Sequence, residues 1–214
     1  MSIKERANKV IKILKREYPN AECSLSFKNP IQMLVSTILS AQCTDKRVNQ
    51  ITKDLFKKYK TAKDYANANQ KNFEKDIRST GFYRNKAENI INACKIIVKK
   101  HNGKVPKKME ELLELPGVAR KTANIVLSNS YGVVVGIPVD THMKRVNYRL
   151  GLTKNTDPNK IEKDLMQIIP RKQWHKYSYL IINHGRKICK APTPYCSKCP
   201  LDKLCPRAGV TKKY

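Results

Sequence analysis

The chain has 214 residues, enough for one large or two small domains with a self-sufficient core, and its 40% hydrophobic content excludes a disordered basic tail. Lys and Arg outnumber Asp and Glu by 44 to 17, a formal charge of +27 that calls for an anionic partner, because self-repulsion on that scale does nothing for folding. Nucleic acid is favoured over a membrane. The longest apolar stretch, GVVVGIPV at 132–139, is too short to span a bilayer, and MSIKERANKVIKILKREYPN at the start lacks the unbroken apolar run of a secretory signal.

Taken in chain order, the periodicity is helical nearly throughout. In NPIQMLVSTILSAQ, Ile31, Leu34, Val35, Ile38 and Leu39 share one helical face, with Asn29 placed as N-cap and Pro30 as first helical residue. Val48, Ile51, Leu55 and Tyr59 fit a second helix. Ile90, Cys94, Ile97 and Val98 fit a third, stopped by Asn102-Gly103. MEELLELPGVARKTANIVL holds two helical patterns broken by Pro116-Gly117, and Asp157-Pro158 opens a further helix through Ile161, Leu165 and Ile168. Only GVVVGIPV resembles a strand, and it has no partner, so the expected fold class is all-α. The lysine clusters KKYK and VKKHNGKVPKK read as solvated helix ends.

Three places carry chemistry. At the glycine turn, the amides of Gly117, Val118 and Ala119 are expected to be free, since a helix's opening residues lack intrahelical acceptors; with the helix dipole they make a phosphate site. Lys121 stands just past that turn, where an extra positive charge is disfavoured. Taken without its companion motifs it reads as a lysine contacting phosphate, although the helix N-terminus and partial desolvation disfavour its ammonium. Asp140, in VDTHMKRVNYRL, reads in isolation as an N-cap, and His142 beside it as a packed or orienting histidine. Cys23, Cys43 and Cys94 are scattered and read as small buried hydrophobes. Cys189, Cys196, Cys199 and Cys205 form C-x6-C-x2-C-x5-C in a loop-rich tail. Without an export signal that is a metal site rather than a disulfide framework, and zinc or [4Fe–4S] would each accept four thiolates.

LPGVARKTAN, VDTH and the spacing of the four cysteines, in that order, resemble the endonuclease III family of DNA glycosylases, and the resemblance covers nearly the whole chain. It implies a helix–hairpin–helix at about 109–129 and two helical domains flanking a DNA-binding cleft. One domain is residues 22–133; the other joins 1–21 to 134–214 and carries a [4Fe–4S] cluster on the 189–205 loop. Lys121 is implied as the nucleophile attacking C1′ and forming a Schiff base, with Asp140 as the catalytic carboxylate facing it. Gln42 in SAQCTD and Phe82 in TGFYRNKA match segments that enter the gap left by a flipped nucleotide, Phe82 where leucine is more usual. Lys190, between the first two cysteines, is placed to meet phosphate. Ala119 stands where the family pattern has a second glycine; a positive φ there would cost alanine about 1 kcal/mol or more.

The implied activity is that of a bifunctional glycosylase and abasic-site lyase. It removes oxidised pyrimidines from duplex DNA and cuts 3′ to the abasic site by β-elimination. The expected partner is damaged double-stranded DNA, with no membrane. The expected state is a monomer in the cytoplasm, held at the nucleoid by DNA binding. Two alternatives compete. A monofunctional glycosylase for mismatched bases would lack the nucleophilic lysine. A non-catalytic DNA-binding or redox protein would bind with a steep salt dependence and lose no activity specific to Lys121→Ala.

Overall fold

The computed structural model describes all 214 residues, and every regular element in it is helical. In chain order these are α1 (Ile3–Glu17), α2 (Pro30–Leu39), α3 (Asp45–Lys58), α4 (Ala62–Ala66), α5 (Gln70–Ile77) and α6 (Tyr83–His101). They are followed by α7 (Met109–Leu113), α8 (Arg120–Tyr131), α9 (Thr141–Arg149), α10 (Pro158–Ile168) and α11 (Trp174–Lys187). The chain divides into two compact units, one of Cys23–Val135 and one joining Met1–Glu22 to Gly136–Tyr214.

The unit of Cys23–Val135 is built around α2. Asn29 caps it, its side-chain oxygen accepting from the Gln32 amide at 3.0 Å, and Pro30 occupies its first turn. The sequence predicts one buried face; instead every residue from Ile31 to Leu39 is buried, Ser36 and Thr37 included. The reason is that α3, α6 and α8 all pack on α2, leaving no side for water. Thr37 tolerates this because its hydroxyl donates to the Met33 carbonyl at 2.7 Å. Farther out, α4 and α5 close over α6 through Tyr59, Tyr65 and Phe73, whose ring centroids lie 5.1–5.8 Å apart in stacked and edge-on pairs. α6 stops where the sequence predicts, with Asn102 and Gly103 both left-handed at φ 51° and 74°.

The apolar stretch 132–139 forms no strand. Gly132 ends α8 at φ 66°, and the division between the units falls just after Val135. An apolar run without a second strand to share its backbone hydrogen bonds has no ladder to join.

In the other unit α1 starts with a Ser2–Glu5 capping box and buries Ala7, Val10, Ile11 and Leu14. Asp157 caps α10, accepting from the Lys160 amide at 2.9 Å. α9 and α11 run in close contact. A Cβ on Gly185 of α11 would lie 2.9 Å from His142 Nδ1 and 3.2 Å from Val146 Cγ2, so only glycine permits that approach.

Candidate DNA interface and cysteine site

Between α7 and α8 the chain makes a tight turn closed by Leu115 N–H to Leu112 O and Val118 N–H to Leu115 O, each 3.1 Å. Gly117 has φ +75°, and a Cβ there would meet Asn89 Cβ of α6 at 2.9 Å, so the position demands glycine twice over. Ala119 has φ −92° and ψ 172° as N-cap of α8, an extended conformation open to any residue. The alanine therefore carries no backbone penalty. Lacking a side-chain acceptor, it also leaves the first amides of α8 uncapped.

Two expectations at this turn need correction. The Val118 amide is not free: its side chain is buried, and the amide is paired with Leu115 O, as a group out of water has to be. Of the three amides expected to be free, those of Gly117 and Ala119 are exposed and donate to no backbone acceptor. Lys121 is not desolvated either. It is the second residue of α8 and exposed, because the turn before it is itself exposed. What sets it apart is the uncapped helix N-terminus.

Gln42 lies in the turn between α2 and α3, and Phe82 is the N-cap of α6. Both are exposed, Phe82 by 63%, and both are left-handed, at φ 52° and 48°. Such a backbone costs a residue with a Cβ about 1–2 kcal/mol. Neither recovers that cost by packing: Phe82 touches no core, and the Gln42 side chain makes no hydrogen bond. The same left-handed backbone occurs at Asn102, the stop of α6, and at Arg207.

In the other unit Asp140 is the N-cap of α9, its Oδ1 accepting from the Met143 amide at 2.8 Å. His142 packs against Gly185, with Arg145 Nη2 at 3.0 Å from Nδ1. Burial, the largest influence, pushes its ionisation below the ordinary histidine range. It is the packed histidine that the sequence predicts.

Cys189, Cys196, Cys199 and Cys205 line one cavity, together with Arg149, His184 and Arg207. No three His, Cys, Asp or Glu side chains converge on a point that would hold a single ion. Four thiols lining one cavity are a donor set that suits either zinc or an iron–sulfur cluster.

N–H groups stand beside two of the sulfurs, while Cys205 Sγ also donates to Arg149 O at 3.2 Å. Arg207 N–H points at Cys205 Sγ from 3.4 Å, and Arg149 Nη1 lies 3.5 Å from Cys189 Sγ. The Tyr18 hydroxyl lies 3.3 Å from His184 Nδ1, and His184 Nε2 lies 3.6 Å from Cys199 Sγ.

Sequence reasoning missed Arg149 and His184. The buried Arg149 guanidinium also donates to Lys190 O at 2.7 Å and Pro192 O at 2.8 Å, clamping the loop between the first two cysteines. No motif marks it, and its only sequence-level signal is an arginine at the end of a helix. Lys190 itself is exposed, its ammonium 5.1 Å from the Tyr195 ring centroid.

Residues 35–171 match the family model described as HhH-GPD superfamily base excision DNA repair protein. The chain is 54% identical to endonuclease III of Synechocystis sp. over 210 residues, 98% of this chain and 96% of that one. Two solved structures of endonuclease III on DNA each overlay on it with a TM-score of 0.92 at 44% identity, covering 97% of both chains. One is a non-covalent complex; the other is a trapped covalent intermediate with an estranged adenine.

Proposed function

Since the chain belongs to the endonuclease III family of HhH-GPD base excision repair proteins, we propose that it removes oxidised pyrimidines from duplex DNA with Lys121 as the nucleophile. Its activity is that of a bifunctional DNA glycosylase and abasic-site lyase. The observation that carries the assignment to Lys121 is its place: exposed, in the first turn of α8, beside an uncapped helix N-terminus with the free amides of Gly117 and Ala119.

Those amides and the N-terminal end of the α8 dipole bind a backbone phosphate and hold the target sugar beside the lysine. The Lys121 amine attacks C1′, the C1′–N bond breaks, and the damaged base leaves with a proton. The ring oxygen then takes a proton as the sugar opens, giving an imine between C1′ and Nζ. Loss of a C2′ proton expels the 3′ phosphate by β-elimination, and water hydrolyses the imine to free the enzyme. Asp140 is the carboxylate that stabilises positive charge at C1′ and moves protons, while remaining the cap of α9. Gln42 and Phe82 fill the gap left by the extruded nucleotide, in keeping with the estranged base in the related covalent complex.

Cys189, Cys196, Cys199 and Cys205 would hold a [4Fe–4S] cluster. When bound, it supplies a four-point covalent tie for a segment whose own secondary structure is two short 3-10 turns. In this reading the tied loop presents Lys190 to phosphate.

Borohydride trapping tests the assignment. Wild type and Lys121→Ala are incubated with a duplex carrying one oxidised pyrimidine, and binding is measured in parallel. A covalent adduct with wild type and none with a variant that still binds is the expected result. An adduct that survives in Lys121→Ala overturns the assignment to Lys121. No adduct from folded wild type that binds would indicate a monofunctional enzyme or a binding protein.

A further inference from the structure

Lys86 is the one buried lysine of the chain: it is only 4% exposed, and no carboxylate neutralises it. It lies in the first turn of α6, where its own amide donates to Phe82 O at 3.1 Å. Its ammonium donates to Leu39 O and to Thr80 O, each at 2.8 Å. Leu39 ends α2, and Thr80 ends the 3-10 turn Arg78–Thr80. Carbonyls at helix C-termini lack intrahelical donors and carry the negative end of the dipole. A buried ammonium is thus solvated by two helix ends in place of a counterion. Burial pushes its ionisation below the ordinary lysine range, so the site holds its charge against a desolvation cost.

Each of the two carbonyls stands just ahead of an exposed loop residue. Gln42 is three residues past Leu39, and Phe82 is two residues past Thr80. Both are exposed and left-handed, at φ 52° and 48°. One turn farther along α6, Asn89 abuts Gly117 of the hairpin, so close that a Cβ on the glycine would lie 2.9 Å away. One helix thus registers both exposed loops and the turn that offers its amides to phosphate.

We propose that Lys86 is a positioning residue for base extrusion: its single ammonium fixes the spacing between the loops of Gln42 and Phe82, so that both enter the duplex as one unit. The inference rests on the reading of Gln42 and Phe82 as the residues that fill the gap. Without the Lys86 tie the loops separate, two carbonyls lose their donor, and the duplex must be opened against flexible loops. Imine chemistry at a sugar that is already accessible is untouched.

The test compares strand cleavage at an abasic site in duplex and in single-stranded DNA, together with fluorescence of 2-aminopurine placed opposite the lesion. Wild type, Lys86→Met, Lys86→Arg, Gln42→Ala/Phe82→Ala and the triple variant with Lys86→Met are compared, each checked for a cooperative thermal transition. Lys86→Met is expected to lower duplex cleavage at least tenfold while single-strand cleavage stays within about twofold of wild type, and to quench the 2-aminopurine rise. In the Gln42→Ala/Phe82→Ala background it is expected to lower the ratio no further.

Lys86→Arg keeps the charge but widens the bridge, and a two- to fivefold drop in the ratio is expected. Should Lys86→Met fail to fold, the arginine variant decides alone. If Gln42→Ala/Phe82→Ala leaves the ratio at the wild-type value, the gap-filling reading has failed and the proposal with it. If that pair lowers the ratio but neither Lys86 variant does, the gap-filling reading stands and the role of Lys86 is refuted.

Discussion

Gly117→Ala is the sharpest probe of the hairpin. The residue sits at φ +75°, where a Cβ costs about 1–2 kcal/mol. The new Cβ would also lie 2.9 Å from Asn89 Cβ, an atom fixed next to the α6 backbone that cannot swing aside. Relieving that contact costs about 1–3 kcal/mol. Together the two effects give about 3 kcal/mol, or roughly 6–12 °C in Tm for a domain of this size. The relief has to come from movement of the turn, which displaces the Gly117 and Ala119 amides. Losing one charge-assisted bond to phosphate, about 1.5–3 kcal/mol, predicts binding to duplex DNA weaker by about 10- to 100-fold. Thermal melts and fluorescence anisotropy at fixed salt measure both effects. Asn89→Ala in the Gly117→Ala background leaves the φ cost but trims only the side chain beyond Cβ, so it should recover little. Wild-type Tm and affinity for Gly117→Ala would refute the claim that the turn needs a left-handed, Cβ-free residue.

Ala119→Gly, by contrast, should stabilise by up to about 1 kcal/mol, glycine being the better N-cap, and leave DNA affinity unchanged, because φ −92° asks for no glycine; a gain in affinity would show that the hairpin wants freedom there after all. Arg149→Leu removes the donors to Lys190 O and Pro192 O, at a cost of about 2–4 kcal/mol to the cysteine loop. The expected readout is faster loss of visible cluster absorbance under chelator, and an unchanged rate would refute the clamp. His175, edge-on to Tyr179, has its ionisation lowered chiefly by burial, with Lys176 adding to it. A histidine depressed in the folded state stabilises the fold above its unfolded pKa, and that stability is lost as pH falls toward the folded value. Wild type should therefore lose more Tm than His175→Phe between about pH 7.5 and about pH 5.5; equal losses would refute the contribution.

Helix caps and stops were legible because they are local. Asn29, Asp140 and Asp157 each accept from the amide three residues ahead, an interaction set by a residue type and its immediate neighbours. The complete burial of α2 was not legible, since a periodic pattern cannot say how many neighbours a helix has. The free amide expected at Val118 failed for a similar reason: whether a turn amide is satisfied depends on how the turn closes. Cysteine spacing pointed to a metal site. The Arg149 clamp stands 40 positions before Cys189, and Tyr18 stands 166 positions before His184, so no local window of sequence contains either pairing.

The contrast between Lys121 and Lys86 explains which functional lysines a sequence can reveal. Lys121 sits at the N-terminal end of its own helix, and both the helix and the turn that uncaps it are written within a few residues. Its odd position was therefore readable before any fold was known. Lys86 also starts a helix, but its charge is spent on the C-terminal carbonyl of α2, 47 residues earlier, and on Thr80. The same side chain is thus set apart at one place by the positive end of a helix and settled at the other by the negative end. In a chain of 44 basic residues the surface lysines attract DNA without choosing a geometry. Geometry comes from the few positions where a helix end dictates what a lysine does: at Lys121 it sets an amine beside the amides proposed to bind phosphate, and at Lys86 it anchors an ammonium on the carbonyls of Leu39 and Thr80.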